Sequence, residues 1–376
     1  MTIMISHLFL QHYWWVIVSL LAGLLVFLMF VQGGQSLIFC LPRNDIQKTL
    51  MVNTLGRKWE FTFTTLVTFG GAFFASFPLF YATSFGGAYW VWVAILFSFI
   101  IQAVAYEFRS KPVNILGKKT YDIFLFLNGA LGPFLIGTAV ATFFTGSMFS
   151  LDMMKGVHWE TPYYGLEALF NIRNLSLGLA VLFLSRINGL LYIINSVDEE
   201  DLVSSARKRI LVNSILFLVF FLYFLVSLLV SKGFAADPAT GGISVEKFKY
   251  FHNFIAMPSV LIIFLAGVAG VLYGTAIGIF GKSTRGVWFT GTGSVLAVFS
   301  LFLVAGFNGT AFYPSVYDIQ SSLTIYNASS SLFTLKTMMF VSFIIPFVIA
   351  YIWYAWQSVN RTKITEEEMK SEGHVY

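Results

Sequence analysis

Long apolar stretches, separated by short clusters of charged residues, dominate the pattern of this chain. A helix that crosses a bilayer needs about 20 consecutive apolar residues. The uncharged stretch 61–106 is long enough for two such helices, with a turn at 84–87. The pattern predicts nine transmembrane helices, at roughly 13–39, 60–82, 88–108, 122–147, 172–195, 210–231, 254–280, 287–307 and 335–357.

The Lys and Arg residues predict the orientation of these helices. Most of them lie in alternate loops and in the C-terminal segment, as expected for the cytoplasmic side of a membrane protein. An odd number of crossings then places the N-terminus outside and the C-terminus in the cytoplasm. We expect residues 1–360 to form a single polytopic transmembrane domain and residues 361–376 to form a short cytoplasmic tail.

Composition supports an all-α integral membrane protein. Of the 376 residues only 11% are charged, whereas 57% are hydrophobic and 18% aromatic. A water-soluble globule of this size could not bury so many apolar side chains and would expose a large apolar surface. A soluble enzyme, a nucleic-acid-binding protein and a disordered chain are therefore excluded, and no nucleic-acid partner is expected. The one cysteine, Cys40, allows no intrachain disulfide and no thiolate zinc site.

Histidine positions argue against a haem or metal centre on this chain. The five histidines lie in predicted termini, loops or helix ends: His7, His12, His158, His252 and His374. A haem at mid-bilayer would need an axial ligand within a helix. We therefore expect no cofactor, no metal and no catalytic residue on this polypeptide, so that any redox metal would be held by another chain.

Two carboxylates at the cytoplasmic edge are candidates for chemistry. Glu60 opens the second predicted helix and Glu107 closes the third, and basic charge partners accompany both: Arg57, Lys58, Arg109 and Lys111. One interpretation is an interfacial ion pair worth about 1 kcal/mol or less. The other is the mouth of a proton path, because charge near the membrane is costly and often functional. The residues alone leave both interpretations open.

A polar site interrupts the end of the first predicted helix, at Gln32-Gly33-Gly34-Gln35. Paired glycines allow close helix approach, and glutamines hydrogen-bond between helices or hold water. Helix packing is the default interpretation. Arg186, within the fifth predicted helix, either extends its side chain to the interface or pairs with a carboxylate.

The second and third predicted helices contain a series of motifs: Arg57-Lys58-Trp59-Glu60, Gly70-Gly71-Ala72 with Phe74-Ala75 and Pro78, Tyr81-Ala82, and Glu107-Phe108-Arg109-Ser110-Lys111. Taken together, these motifs resemble subunit II of the cytochrome bd-type quinol oxidases, as a divergent branch. Weaker matches include Trp14-Trp15, Arg43-Asn44-Asp45 and Asn327-Ala328-Ser329-Ser330. The resemblance spans almost the whole chain and is densest over 57–111.

The resemblance implies a fold and a complex. It implies nine helices, arranged as two four-helix bundles plus a peripheral helix, in a bacterial plasma (inner) membrane. It implies a heterodimer in which subunit I carries haem b, haem d and the quinol site, while subunit II is the haem-free partner of an enzyme that oxidises quinol and reduces O2 to water. Glu60 then matches the acid at a proton inlet, and Glu107 matches the acid of the closing motif.

The chain departs from the family pattern at the first helix. Where the family usually has Asp-Gly-x-Asp, this chain has amides at Gln32 and Gln35, so that any ionisable role there is lost. After Glu60 the usual Gly-Asn is Phe61-Thr62, which makes the polar lining thinner. Whether a quinone or lipid occupies a structural site on this chain, and whether small single-helix accessory subunits bind, is left open.

A second class of function is an autonomous secondary transporter. Such a protein would show inverted repeats, broken helices and a polar site at the membrane midplane. No convincing repeat is visible, and the clearest carboxylates lie at the membrane edge. The oxidase subunit is therefore the preferred hypothesis.

Overall fold

The structure is a computed structural model that describes residues 6–111, 114–281 and 283–359. Most of the described chain is helical. The helices are α1 His7–Leu28, α2 Phe30–Gln35, α3 Asp45–Gly56, α4 Trp59–Ser76, α5 Pro78–Tyr81, α6 Tyr89–Phe108, α7 Lys118–Thr145, α8 Ile172–Ser196, α9 Glu200–Val230, α10 Lys249–Ala256, α11 Pro258–Phe280, α12 Gly286–Gly306, α13 Leu332–Ser342 and α14 Ile345–Val359. The predicted tail, 361–376, lies outside the described residues.

The expected all-α membrane architecture is confirmed at a coarse level. Among the described residues, seven helices are long and apolar enough to span a bilayer, or up to eight if α13 and α14, bent by 40°, form one span. The second predicted span corresponds to α4, which is only 18 residues long and carries Glu60 and several threonines. Hence the nine-helix count, the two-bundle arrangement and the orientation stay predictions.

Two local features differ from the predicted helix pattern. The first span is broken at Met29, where α1 ends and the short α2 begins. The predicted loop after it contains α3, whose start is capped by Asn44: its side-chain oxygen accepts a hydrogen bond from Gln47 N at 2.8 Å. Since α3 buries Leu50 and Met51, tertiary packing stabilises a helix that lacks the length of a span.

Helix packing joins the two halves of the chain. Contacts connect α6 with α7, α7 with α8, α8 with α9, and α11 with α12. The first helix packs against α4 and α12, and α2 packs against both α7 and α8. The core between them is rich in aromatic rings, with Trp15 and Phe73 fully buried.

Loops at one end of the helices form a cap, defined here as residues 146–171, 231–248 and 307–331. Two antiparallel hairpins lie within it: Phe149–Leu151 (β1) with Val157–Trp159 (β2), and Lys232–Ala236 (β3) with Ile243–Lys247 (β4). Single β-bridges connect Ser147 with Ser315 and Ala235 with Thr310, so the three loops form one layer. The opposite end, which carries Arg109, Lys118 and Arg207, is called the basic end below.

Close backbone approach fixes α2 between its neighbours. A Cβ atom added at Gly33 would lie 1.8 Å from the carbonyl oxygen of Ser185 on α8, a distance at which no side chain fits. By contrast, a Cβ at Gly71 on α4 would meet no atom within 4 Å. The first glycine is therefore required by packing, and the second is not.

We expect Gly33→Ala to destabilise the protein strongly, by about 1–3 kcal/mol or more, because α2 must move away from α8. Gly71→Ala is the matched control. It should be neutral or slightly stabilising, since alanine favours a helix over glycine by about 1 kcal/mol. Thermal unfolding of the purified complex measures both, and equal melting temperatures for the two variants would contradict the packing explanation.

Candidate functional site

Polar side chains line up inside the helix bundle, along the contact of α2, α6 and α7. Near the basic end, Gln35 Nε2 donates to the Tyr106 hydroxyl at 2.5 Å. Further inward, Gln32 Nε2 lies 3.4 Å from Gln102 Oε1. The row ends with Asn128 Nδ2, 3.3 Å from the Ser98 hydroxyl. We call these residues the polar row: Gln35, Tyr106, Gln32, Gln102, Asn128 and Ser98.

The polar row is buried, and its hydrogen-bonding capacity is only partly used. Each of its side chains is at most 2% exposed. Four of its atoms have no hydrogen-bond partner among the described residues: Gln32 Oε1, Gln35 Oε1, Gln102 Nε2 and Asn128 Oδ1. Buried polar atoms are normally satisfied, and where protein offers no partner an internal water does so. These four atoms are therefore the places along the row where an internal water would find a hydrogen-bond partner.

A buried cluster of charged side chains lies at the basic end, where α6 and α7 meet α3. Arg109 Nε, at the end of α6, donates to Asp122 Oδ1 on α7 at 2.7 Å, and both side chains are almost fully buried. Lys48 of α3 lies 3.4 Å from the other carboxylate oxygen, Oδ2. Two cations thus share one anion, which fastens α3, α6 and α7 together.

The two acids predicted from the sequence lie at the surface near this cluster. Glu107 is exposed and pairs with Lys111 at 3.3 Å, one helical turn further on. Its other predicted partner, Arg109, pairs with Asp122 instead. Glu60 is exposed in the first turn of α4, and no ion pair within the described residues includes its carboxylate.

Both acids are next in sequence to one aromatic contact. Trp59, which precedes Glu60, stacks on Tyr106, which precedes Glu107; the ring centroids are 5.9 Å apart and the planes differ by 17°. Tyr106 in turn accepts the hydrogen bond from Gln35. In sequence, the two acids thus adjoin an aromatic pair that contacts the polar row through Tyr106.

The predicted basic partners of Glu60 have other surroundings. Lys58 is fully buried, and its Nζ lies 4.4 Å from the ring centroid of Trp356 on α14 and 5.6 Å from that of Phe61. This contact with aromatic faces is a cation–π interaction. Burial, together with the neighbouring charge of Arg57, lowers the pKa of Lys58 to about 8.

Among the described residues, Arg186 forms no ion pair with a carboxylate, and its extension toward the interface stays a prediction. Its Nε donates to the Ser36 hydroxyl at 2.8 Å, and its guanidinium lies 5.5 Å from the Phe183 ring centroid. The Ser36 hydroxyl in turn donates a hydrogen bond to the carbonyl oxygen of Gly33 at 2.7 Å. The arginine therefore supports the end of α2 rather than pairing with a carboxylate.

Several members of this site were missed from the sequence. Asp122 begins an apolar helix and was treated only as its boundary, and Asn128 lies within that helix. On α6 a signal was present, because Ser98, Gln102 and Tyr106 recur every four residues in an otherwise apolar segment. That spacing places them on one face of a helix.

These features define a class of protein: a polytopic α-helical membrane protein with hydrogen-bonding groups inside its bundle. A family model described as cytochrome bd terminal oxidase subunit II matches residues 10–359, which is nearly the whole chain. The chain belongs to the cytochrome bd terminal oxidase subunit II family. The resemblance inferred from the motifs is thus confirmed.

Individual relatives agree with this assignment. Cytochrome bd-I ubiquinol oxidase subunit 2 of Escherichia coli (strain K12) is 26% identical, over 99% of both chains. Cytochrome bd ubiquinol oxidase subunit 2 of Bacillus subtilis (strain 168) is 28% identical, over 93% of this chain and 96% of the relative. A chain of the bd oxidase structure from Geobacillus thermodenitrificans shares the fold, with a TM-score of 0.64, 13% identity, and coverage of 94% of this chain and 99% of that one.

The family assignment establishes the coarse function. This chain is an integral protein of the bacterial membrane and a subunit of a terminal oxidase, which implies a complex with subunit I.

We expect Asp122→Asn to destabilise the complex by about 3–5 kcal/mol, because it leaves Arg109 buried without its counter-charge. Glu107→Gln is the control, since it removes a carboxylate from an exposed pair worth about 1 kcal/mol or less. Thermal unfolding at low and high salt measures both. A small loss for Asp122→Asn that disappears in high salt would show that the pair is solvated, contrary to this structure.

Proposed function

We propose that this chain is the haem-free subunit II of an oxidase that oxidises quinol and reduces O2 to water, with the b- and d-type haems and the quinol site on subunit I. In this proposal it stabilises subunit I and conducts protons from the cytoplasm. The observation that carries the oxidase assignment is the family match over 10–359. The observation that carries the proton path is the buried polar row with its four unpartnered atoms.

The described histidines support the haem-free part of this proposal. Each of the four described histidines has a polar neighbour: Ser330 O for His7, Asp152 for His158, Glu246 for His252, and the Tyr326 hydroxyl, at 3.4 Å, for His12. All four lie in or beside the cap. The described residues therefore offer no imidazole inside the bundle where an axial haem ligand would be needed.

The proposed proton path begins at Glu60 and Glu107 on the basic end. These exposed carboxylates collect protons from water, and each adjoins the contact of Trp59 with Tyr106. From Tyr106 the proposed path runs inward along the polar row, first past Gln35 and then past the pair of Gln32 and Gln102.

Along the row, water molecules would carry the proton, because an amide does not titrate. Gln32 and Gln35 supply carbonyl oxygens that accept hydrogen bonds from water, and Gln102 supplies an N–H group that donates to it. The loss of the family's two acids then changes the relay from carboxylates to ordered water. This is the consequence we assign to the divergent sequence at 32–35.

The family match favours this proposal over the autonomous transporter. Membrane lipids and quinol are expected partners of such a complex. A structural quinone or lipid on this chain, and small single-helix accessory subunits, are compatible with the proposal but are not needed by it.

We expect Glu60→Gln to slow proton uptake coupled to quinol oxidation by about tenfold, which corresponds to about 1.4 kcal/mol in activation free energy. The reason is that the amide can no longer collect a proton at the proposed inlet. Glu200→Gln removes another exposed acid of the basic end and should leave the rate unchanged. Uptake is followed with a pH-sensitive dye in reconstituted vesicles. Equal rates for both variants would reject the inlet while leaving the subunit assignment intact.

We expect Gln35→Leu to slow proton uptake as well, because leucine has a similar size but cannot bind water. Gln35→Glu should restore the rate, since a carboxylate holds water and also exchanges protons. Haem absorption spectra and thermal stability of the purified complex show whether each variant assembles. Full activity of an assembled Gln35→Leu complex would show that protons do not follow the polar row.

A further inference from the structure

A cavity of about 560 Å³ lies under the cap, on the side opposite the basic end. It is enclosed by the outer ends of α6, α7 and α8 and by the loop 146–171. Its volume falls within the range of small-molecule sites, about 300–1,000 Å³. It is separate from the polar row, and the proposed proton path does not use it.

Neutral hydroxyl groups converge on one wall of this cavity. Ser147 Oγ donates to the Tyr313 hydroxyl at 3.1 Å, and the hydroxyls of Ser84 and Thr142 also lie next to Tyr313. Trp92 adds its indole N–H, which donates to Ser84 Oγ at 3.3 Å. Hydroxyl groups both donate and accept, so this wall can match a ligand that does the same at several positions.

The charge of the cavity disfavours anions. Of the described residues that line it, only Glu167 is charged. Its carboxylate oxygens already accept hydrogen bonds from Trp159 Nε1 and from Gly165 N, both at 2.9 Å, which holds the negative charge within the wall. A phosphate or carboxylate would meet this charge without a lysine or arginine to offset it.

The mouth of the cavity offers an aromatic surface and a free amide. Phe170 is 75% exposed there, and Asn171 lies beside it. Asn171 Oδ1 accepts from Arg173 N, which leaves its NH₂ group without an acceptor among the described residues. An exposed ring next to a polar amide suits the face and edge of a sugar ring.

A glycine is required in the loop that lines the cavity. Gly165 has φ of +99°, and a Cβ there would lie 2.6 Å from Ala88 Cβ. The preceding Tyr164 has φ of +41°, which is unusual for a residue with a side chain. Unusual backbone conformations of this kind are common beside ligand sites.

We propose that this cavity binds a neutral, polyhydroxylated ligand of the sugar class, either as the headgroup of a glycolipid or as a free sugar. The hydroxyl wall, the absence of a cationic lining residue and the exposed ring at the mouth together favour this class. This site is distinct from the established role of the family in quinol oxidation, and it would remain if the proton path proved wrong.

The test uses the assembled complex in nanodiscs that contain a monoglucosyl diacylglycerol or, separately, anionic phosphatidylglycerol. Native mass spectrometry measures how much of each lipid stays bound. We expect the glucolipid to be retained by the natural protein, and Ala168→Trp, which fills the cavity, to reduce retention at least about tenfold. Val226→Trp introduces the same ring at an exposed position on α9, outside the cavity, and should retain the glucolipid fully.

A second variant guards against misfolding. Phe170→Ala removes an exposed ring, so it should fold normally and weaken retention about threefold to tenfold. Competition by free glucose would identify a soluble sugar as the ligand, and retention without competition would identify the lipid headgroup; either result supports the site. Two results would overturn the proposal. One is that both variants retain as much glucolipid as the natural protein; the other is that Ala168→Trp lowers the retention of phosphatidylglycerol and leaves that of the glucolipid unchanged.

Discussion

The contact of α2 with α8 is the constraint on which the rest of the interior depends. At Gly33 the helix backbone lies directly against the Ser185 carbonyl, at a distance that no other residue allows. This contact fixes the rotation of α2, and it thereby directs Gln32 and Gln35 toward α6 rather than toward lipid. Arg186 strengthens the same junction through Ser36.

The bundle stabilises polar groups in two different ways. At the basic end, Asp122 is surrounded by two cations, so its charge is compensated within the protein. In the polar row, amides and hydroxyls without charge share hydrogen bonds and leave four atoms for water. The first arrangement is rigid, because an uncompensated buried charge is costly. The second can rearrange, because a water molecule can exchange its partners at little cost. A rigid end next to a rearrangeable interior is what the proposed proton path requires.

Much of the fold could be predicted from the sequence, because membrane spans depend on local composition. The helices α6, α7, α8, α11 and α12 lie close to their predicted positions. The short α3 could not be predicted in this way, because its helical state depends on burial against the membrane-spanning helices. At the site, Gln32 and Gln35 were recognised because they interrupt an apolar stretch. Their partners Gln102 and Tyr106 do recur on one face of α6, but local periodicity cannot show that this face meets residues about 70 positions earlier in the chain.

The position of the N-terminal helix against the last loop has a consequence for biosynthesis. Gln11 donates to the Ser329 hydroxyl at 2.7 Å, and Trp14 Nε1 donates to Leu335 O at 3.1 Å. Both partners are made more than 300 residues later. During translation the first helix must therefore wait in the bilayer, with these polar groups still unpaired, until almost the entire polypeptide has left the ribosome.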